Sequence, residues 1–357
     1  MKFHVISIIE LDSILVNRWR QIQEADLNLA SPYFTPEFTQ AVGLVRKDVF
    51  IGIMENQNRI VGFFPFQKKK GRIARPIGLG LSDYHGVIAE INTEWSAEEL
   101  LRGCKLIRWE FDHLPVNQKY FNLFHKTVSD SPIIDVTNNM EYFERSRDKA
   151  SRKQLQEAQR KRKKFEEKHG PLIFTSHSLE KVDLLQLIRW KSRQCQNTGT
   201  VDFFALDWCV KLIDNIHSTR GKYFGGILSS LHIGETLAAV HFGMYSRLVW
   251  HSWFPAYNHE LEEYSPGFIL LLELIKKASE EGIKYIDLGK GLSIYKKRVM
   301  TGSILVAEGT VNIPSLYNNI HSFINVAEQH ARNSILSPIL RIPGRIIKRI
   351  ESKGRYK

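Results

Sequence analysis

The stretch from Trp253 to Lys296 limits the fold more than any other part of the chain. A strand predicted over Leu248 to Phe254 leads into a polar loop, after which Ser265-Pro266-Gly267 opens a strongly apolar helix. That helix stops at Gly282, and a short strand, Lys284 to Leu288, carries Asp287 at its end beside Gly289 and Gly291. Serine before proline is a good helix start, because the serine oxygen can cap and proline suits the first helical position. The free N–H groups of such a first turn form an anion-binding spot between two neighbouring strands.

Length and composition set the frame for this unit. At 357 residues the chain is long for one domain, and its 43% hydrophobic content is enough for packed cores. The cysteines, Cys104, Cys195 and Cys209, follow neither a CxxC nor a zinc-finger spacing. This argues for a reducing compartment and against a structural metal. Cys195 has no neighbour in sequence that would lower its pKa and make it a nucleophile. The N-terminus lacks the marks of a signal peptide, and the longest apolar run, Phe268 to Leu272, is broken by Glu273. A cytoplasmic protein is therefore expected.

The formal charge of +12 is unevenly placed. Arg145 to Lys168 holds eleven basic and four acidic residues, and much of the remaining excess lies between Arg341 and Lys357. Such runs bind nucleic acid or anionic lipid, or form a solvated helix face and a frayed tail. In the tail, Ile342, Ile346 and Ile350 stand four apart among basic residues, a pattern suited to shallow attachment at the inner face of the cytoplasmic membrane.

Two hairpins repeat along the chain. DVFIGIME and RIVGFFPFQ flank Asn56-Gln57-Asn58, and KYFGGILSSLHI and TLAAVHFGMY flank Gly234-Glu235. Apolar residues at a period near two, broken by Asn or Gly turns, mark antiparallel strand pairs. The repeated order of elements suggests a duplicated α/β unit. Tyr142 to His169, with a thin stripe at Leu155, Ala158 and Phe165, reads as a connecting helix ended by Gly170-Pro171. The divisions expected are 1–141, a linker at 142–170, a second domain at 171–315 and a basic helical tail at 316–357.

Several motifs in order, Ser31 to Gln67, Arg75 to Ala89, WEFDHLP, AAVHFG, FPAY, YSPG and DLGKGLSIYKKR, resemble the CelD-like branch of the GNAT acyltransferase superfamily. Members of that branch look like FemAB enzymes in having two GNAT-type units and are associated with bacterial cellulose or exopolysaccharide synthesis. The resemblance spans about residues 31–310. It implies an α/β fold with mixed sheets, two tandem GNAT-like domains, and transfer of an acyl group from a thioester to an amine or hydroxyl. The acceptor it implies is a sugar or a sugar-linked lipid. The two strands around the Ser265 helix would part to admit the acyl-carrier arm, with Ser265, Gly267 and Phe268 receiving its phosphate.

The chain departs from the usual phosphate loop, having YSPG preceded by Glu260, Glu262 and Glu263. Carboxylates disfavour a pyrophosphate, so an acyl carrier protein or, as in FemAB-type relatives, an aminoacyl-tRNA stands beside acyl-CoA as donor. A third alternative is a non-catalytic scaffold for a polysaccharide synthase.

A hydroxyl acceptor needs a base titrating near neutrality. His241 shares a strand face with Leu237, Ala239 and Gly243, and Asp287 sits at a strand end where ligands of open α/β sheets lie. Each is a candidate base, or else a structural residue. Gly289 would let backbone approach a ligand, and Tyr295 and Lys296 could contact the leaving group or carrier phosphate. Asp83 and His85 would share a face if LSDYHGVIA is extended. Glu110 and Asp112 alternate with Trp109, Phe111 and His113, an acidic and aromatic cluster suited to a saccharide, or an edge strand with its rings in the core. Trp253 completes the expected substrate-binding set, and no metal is expected.

Overall fold

The computed structural model describes residues 1–313 apart from Lys70 and Asn139. The predicted tail segment therefore lies outside the described residues. The strands are β1 (Lys2–Ser7), β2 (Val49–Asn56), β3 (Arg59–Lys69), β4 (Ile73–Arg75), β5 (Ile88–Ala89), β6 (Arg108–Pro115), β7 (His125–Asp135), β8 (Leu172–Thr175), β9 (Phe224–Ile233), β10 (Thr236–Ser246), β11 (Val249–Tyr257), β12 (Tyr285–Asp287) and β13 (Gly302–Asn312). The α-helices are α1 (Ser13–Ala25), α2 (Pro36–Val45), α3 (Ala97–Gly103), α4 (Met140–Arg145), α5 (Lys149–His169), α6 (Lys181–Thr198), α7 (Asp207–Ser218), α8 (Pro266–Glu280) and α9 (Ile294–Val299).

Both predicted hairpins form. In the first, Gln57 and Asn58 have φ of 49° and 62°, the left-handed pair that a tight two-residue turn needs. In the second, Gly234 supplies φ 55° between β9 and β10. All the strands join one mixed sheet, ordered β1-β2-β3-β4-β6-β13-β7-β12-β11-β10-β9-β8, with β5 on β3. The two halves exchange strands at its centre. β13, late in the chain, lies between β6 and β7, and β7 also pairs with β12.

Three apolar clusters stabilise this sheet. One joins Trp19, Phe34, Phe38 and Phe63 of the first half to Leu212, Ile213, Phe242 and Trp253 of the second, so the halves share a core. The second packs α8 and α5 against the sheet's far side, and the third gathers Phe64, Trp109 and Phe121.

The predicted connecting helix is two helices, because Asp148 caps a new start by accepting from Ser151 N–H at 2.7 Å. Its expected stripe of Leu155, Ala158 and Phe165 is buried, and Phe165 stacks on Tyr264 with ring centroids 4.3 Å apart. β6 is central rather than at an edge, held by β4 and β13. No helix among the described residues is long and apolar enough to cross a membrane. No described group of His, Cys, Asp and Glu is arranged to hold a metal.

Candidate active site

The parallel pair β11 and β12 registers Val249 with Tyr285, Trp250 with Ile286 and His251 with Asp287. β12 then ends, while β11 runs on to Tyr257, so the strands part just beyond His251 and Asp287. After Asp287 the chain turns at Gly289, whose φ of +74° favours glycine. Gly289 N–H donates to Asp287 Oδ1 at 2.7 Å. A Cβ at Gly289 would stand 2.7 Å from Asp83 Oδ2, so the missing side chain is what admits Asp83 from the first half.

His251, wholly buried, bridges the two halves. Its Nε2 lies 3.0 Å from Asp83 Oδ2 and its Nδ1 3.6 Å from Asp287 Oδ1. Tyr33 meets the imidazole edge-on, and Ser131 Oγ donates to Asp287 Oδ1 at 3.2 Å. Burial alone would strip the proton from His251, but the contacts with Asp287 and Asp83 outweigh it and lift the pKa to about 9. The ring is therefore an imidazolium at neutral pH. Burial pushes the Asp83 carboxyl up, yet the contact and charge of His251, then the charges of His113 and Lys296, hold it below the usual value.

Asp83 is the part of this cluster that reaches solvent, with 26% of its side chain exposed against 1% for Asp287. Beside it, His113 places Nε2 3.5 Å from Asp83 Oδ1 and Nδ1 3.1 Å from Asp112 Oδ1. Lys296 donates to the carbonyls of Gly289 at 2.9 Å and Lys290 at 3.3 Å. Burial lowers its pKa while Asp83 and Asp287 act against that fall. A partly exposed imidazole between two carboxylates can accept a proton, and the nearby ammonium can stabilise an oxyanion.

The predicted residues divide accordingly. Asp83, His113, Asp287, Gly289 and Lys296 come together at the parting of the strands. His241, the other expected base, does not join them. The register puts it on the face of Gly243 and Ser252, opposite Met244 and His251, and its Nε2 lies 2.9 Å from Ser252 Oγ. Burial, and then the charge of His251, depress its pKa to about 3, which makes it a feeble base at neutral pH. Asp83 and His85 do not share a strand face, because residues 82–87 form no strand. His85 is buried instead, its Nε2 accepting from the backbone N–H groups of Asp112 at 3.1 Å and His113 at 3.0 Å.

Trp253 is a core residue. Its ring stacks on Phe254 and its Nε1 donates to Leu81 O at 2.9 Å, tying the halves together. Glu110 faces outward and is held by Arg75 at 3.3 Å and Arg108 at 2.9 Å. Tyr295 is 40% exposed at the start of α9.

The start of α8 differs from its prediction as well. Ser265 is left-handed and makes no cap; its Oγ accepts from Lys161 Nζ at 2.9 Å. The Phe268 N–H already donates to Ser265 O at 3.0 Å, so that residue offers a phosphate less than expected. The acidic loop before the helix is met by α5, with Lys164 4.0 Å from Glu263 and Lys168 donating to Tyr264 Oη at 3.1 Å. Part of the basic run is thus paired within the molecule.

The residue that sequence reasoning passed over is His251. Aligning the predicted strands Leu248 to Phe254 and Lys284 to Leu288 from their first residues sets His251 beside Asp287, the pairing observed.

Residues 152–297 match the acetyltransferase (GNAT) domain family, Acetyltransf_6. No curated protein matches the chain in sequence. Among solved structures the fold is similar to FemX, with a TM-score of 0.57 and 11% identity over 91% of this chain and 100% of that one. It is also similar to the C-terminal domain of a protein assigned as a lysylphosphatidylglycerol synthetase from Agrobacterium fabrum (TM-score 0.51, 12% identity, 87% and 95% covered). A tandem GNAT protein from the clavulanic acid biosynthesis pathway gives a TM-score of 0.50 at 9% identity, with 88% and 100% covered. At these identities the likeness is one of fold. The strands that part at His251 and Asp287 lie inside the matched region: residues 152–297 carry a GNAT acyltransferase domain, in a fold similar to FemX.

Proposed function

We propose that the protein transfers an acyl group from a thioester donor to an amine or hydroxyl at the junction of its halves, with His113 as general base. The observation that carries this is the meeting of Asp83 and His113 with His251, Asp287 and Lys296 where β11 and β12 part. The acceptor N–H or O–H attacks the thioester carbonyl, and its proton passes to His113, oriented by Asp112. Lys296 faces the oxyanion. The C–S bond then breaks and the thiolate leaves as a thiol, taking the proton that His113 received. Asp287 and His251 hold Asp83 in place and do not touch the substrate.

A GNAT domain favours acyl-CoA as donor over an acyl carrier protein or an aminoacyl-tRNA, and the pairing of α5 with the acidic loop removes one objection to a pyrophosphate there. The motif resemblance supports a saccharide acceptor in surface-polysaccharide synthesis. Losing a general base typically costs about 10²–10⁴ in rate. A His113→Gln variant should fall by that order in kcat with acyl-CoA binding retained in calorimetry. Near-normal turnover in that variant would remove His113 from this role.

A further inference from the structure

A groove of about 410 Å³ opens beside this cluster, walled by the loop after β4 and floored by β6, β13 and β7. Its size lies within the range of small-molecule sites. Trp109 of β6 is buried in the core, and Arg108, Glu110 and Asp112 line the groove with part of the buried Phe111 between them. Thr127 and Thr310 complete a floor rich in hydroxyl and carboxylate groups.

Charge is graded along this floor. At one end Arg75 and Arg108 share Glu110. At that end Arg108 Nε is buried without a hydrogen-bond partner. At the other end Glu308 is neutralised by Lys290. Asp112 stands there, four residues on from Arg108, about 13 Å along an extended strand. It adjoins His113.

The arginine end also repeats the geometry of the second half. β4 and β6 pair in parallel only through Ile73 with Arg108 and Ala74 with Trp109, then part, as β11 and β12 do. The sheet thus has two partings of parallel strands, and that of β4 and β6 opens on the groove.

We infer that the groove seats the acceptor and that the acceptor is a phosphorylated sugar. Its phosphate dianion lies against Arg75 and Arg108, its hydroxyls meet the threonines, and its amine or hydroxyl nucleophile is held at Asp112 beside His113. Two guanidinium groups suit the bidentate recognition of phosphate. This rests on His113 being the base, and the transfer step is the one written above.

The test is calorimetry on the full chain with glucosamine 6-phosphate, glucosamine 1-phosphate, glucosamine and, separately, acetyl-CoA. At least one sugar phosphate should bind about tenfold or more tightly than glucosamine, as expected of charge-assisted hydrogen bonds. Arg108→Gln should erase that preference, and Thr310→Trp, which fills the groove, should abolish sugar-phosphate binding. Acetyl-CoA binding should persist in both variants and report that they are folded. The inference is overturned if neither sugar phosphate binds better than glucosamine, or if both variants bind them as the parent does. Sugar-phosphate binding without any acetyl-CoA binding would keep the groove and remove the acyl-CoA reading.

Discussion

An imidazolium without solvent keeps its proton only through its neighbours, and at His251 the neighbours are two carboxylates from opposite halves of the chain. The pH dependence follows from the direction of that shift. With a folded pKa of about 9 against an ordinary 6.5, His251 contributes about 3 kcal/mol that is complete below pH 6.5 and is lost as pH rises through 9. Asp83, depressed below 3.8, contributes above that value and loses its contribution as pH falls below it. Thermal melts should therefore show a plateau between about pH 4 and 6.5 and a fall in Tm towards pH 9 to 10, and the alkaline slope should vanish in His251→Gln. A Tm flat from pH 6 to 10 in the parent protein would refute the assignment. Gly289→Ala is a second residue-scale test, since the new methyl group would strain a +74° φ and press on Asp83. It should cost on the order of 1–3 kcal/mol and lower kcat, read by denaturant unfolding and turnover. Of the candidate site's residues, Asp83, His113, Asp287, Gly289 and Lys296 stand out in the sequence by their unusual surroundings. His251 does not, because its role comes from a partner in a neighbouring strand and not from its own strand's pattern.

Elements with local signals were read well. The hairpins, the stop of α8 before Gly282 and the buried stripe of α5 follow from periodicity and turn residues that lie within a few positions of one another. The cap at Ser265 failed because tertiary contact overrode local preference: Lys161 of α5 holds the hydroxyl, and the backbone there is left-handed. The same packing makes α5 testable. Phe165→Ala removes a buried ring stacked on Tyr264 and should cost about 3–5 kcal/mol in denaturant unfolding. A cost under 1 kcal/mol would mean that α5 is not anchored through this stack. At the start of α8, Gly267→Val would crowd the Tyr257 ring, 3.3 Å from the new Cβ, and should weaken acyl-CoA binding while the fold persists. Unchanged affinity would take the donor phosphate away from this helix.

At the scale of the whole molecule, the two hairpins were visible in the sequence, whereas the exchange of strands was not. Nothing local to β7 or β13 announces a partner in the other half, since strand pairing at long sequence separation leaves no periodic trace. A fragment of residues 1–141 accordingly lacks both neighbours of β7 and should show no cooperative thermal transition by circular dichroism. A sharp melt from that fragment would show that the first half needs no help from the second. The central placement of β13 also bears on the order in which the protein is made. As the chain leaves the ribosome, β6 and β7 emerge long before the strand that fills the gap between them. Their backbone N–H and C=O groups then face one another across an empty lane, open to any passing strand. The closing of that lane by β13 is a late event of biosynthesis, and until it happens a half-made chain is most exposed to pairing with its neighbours on the same messenger.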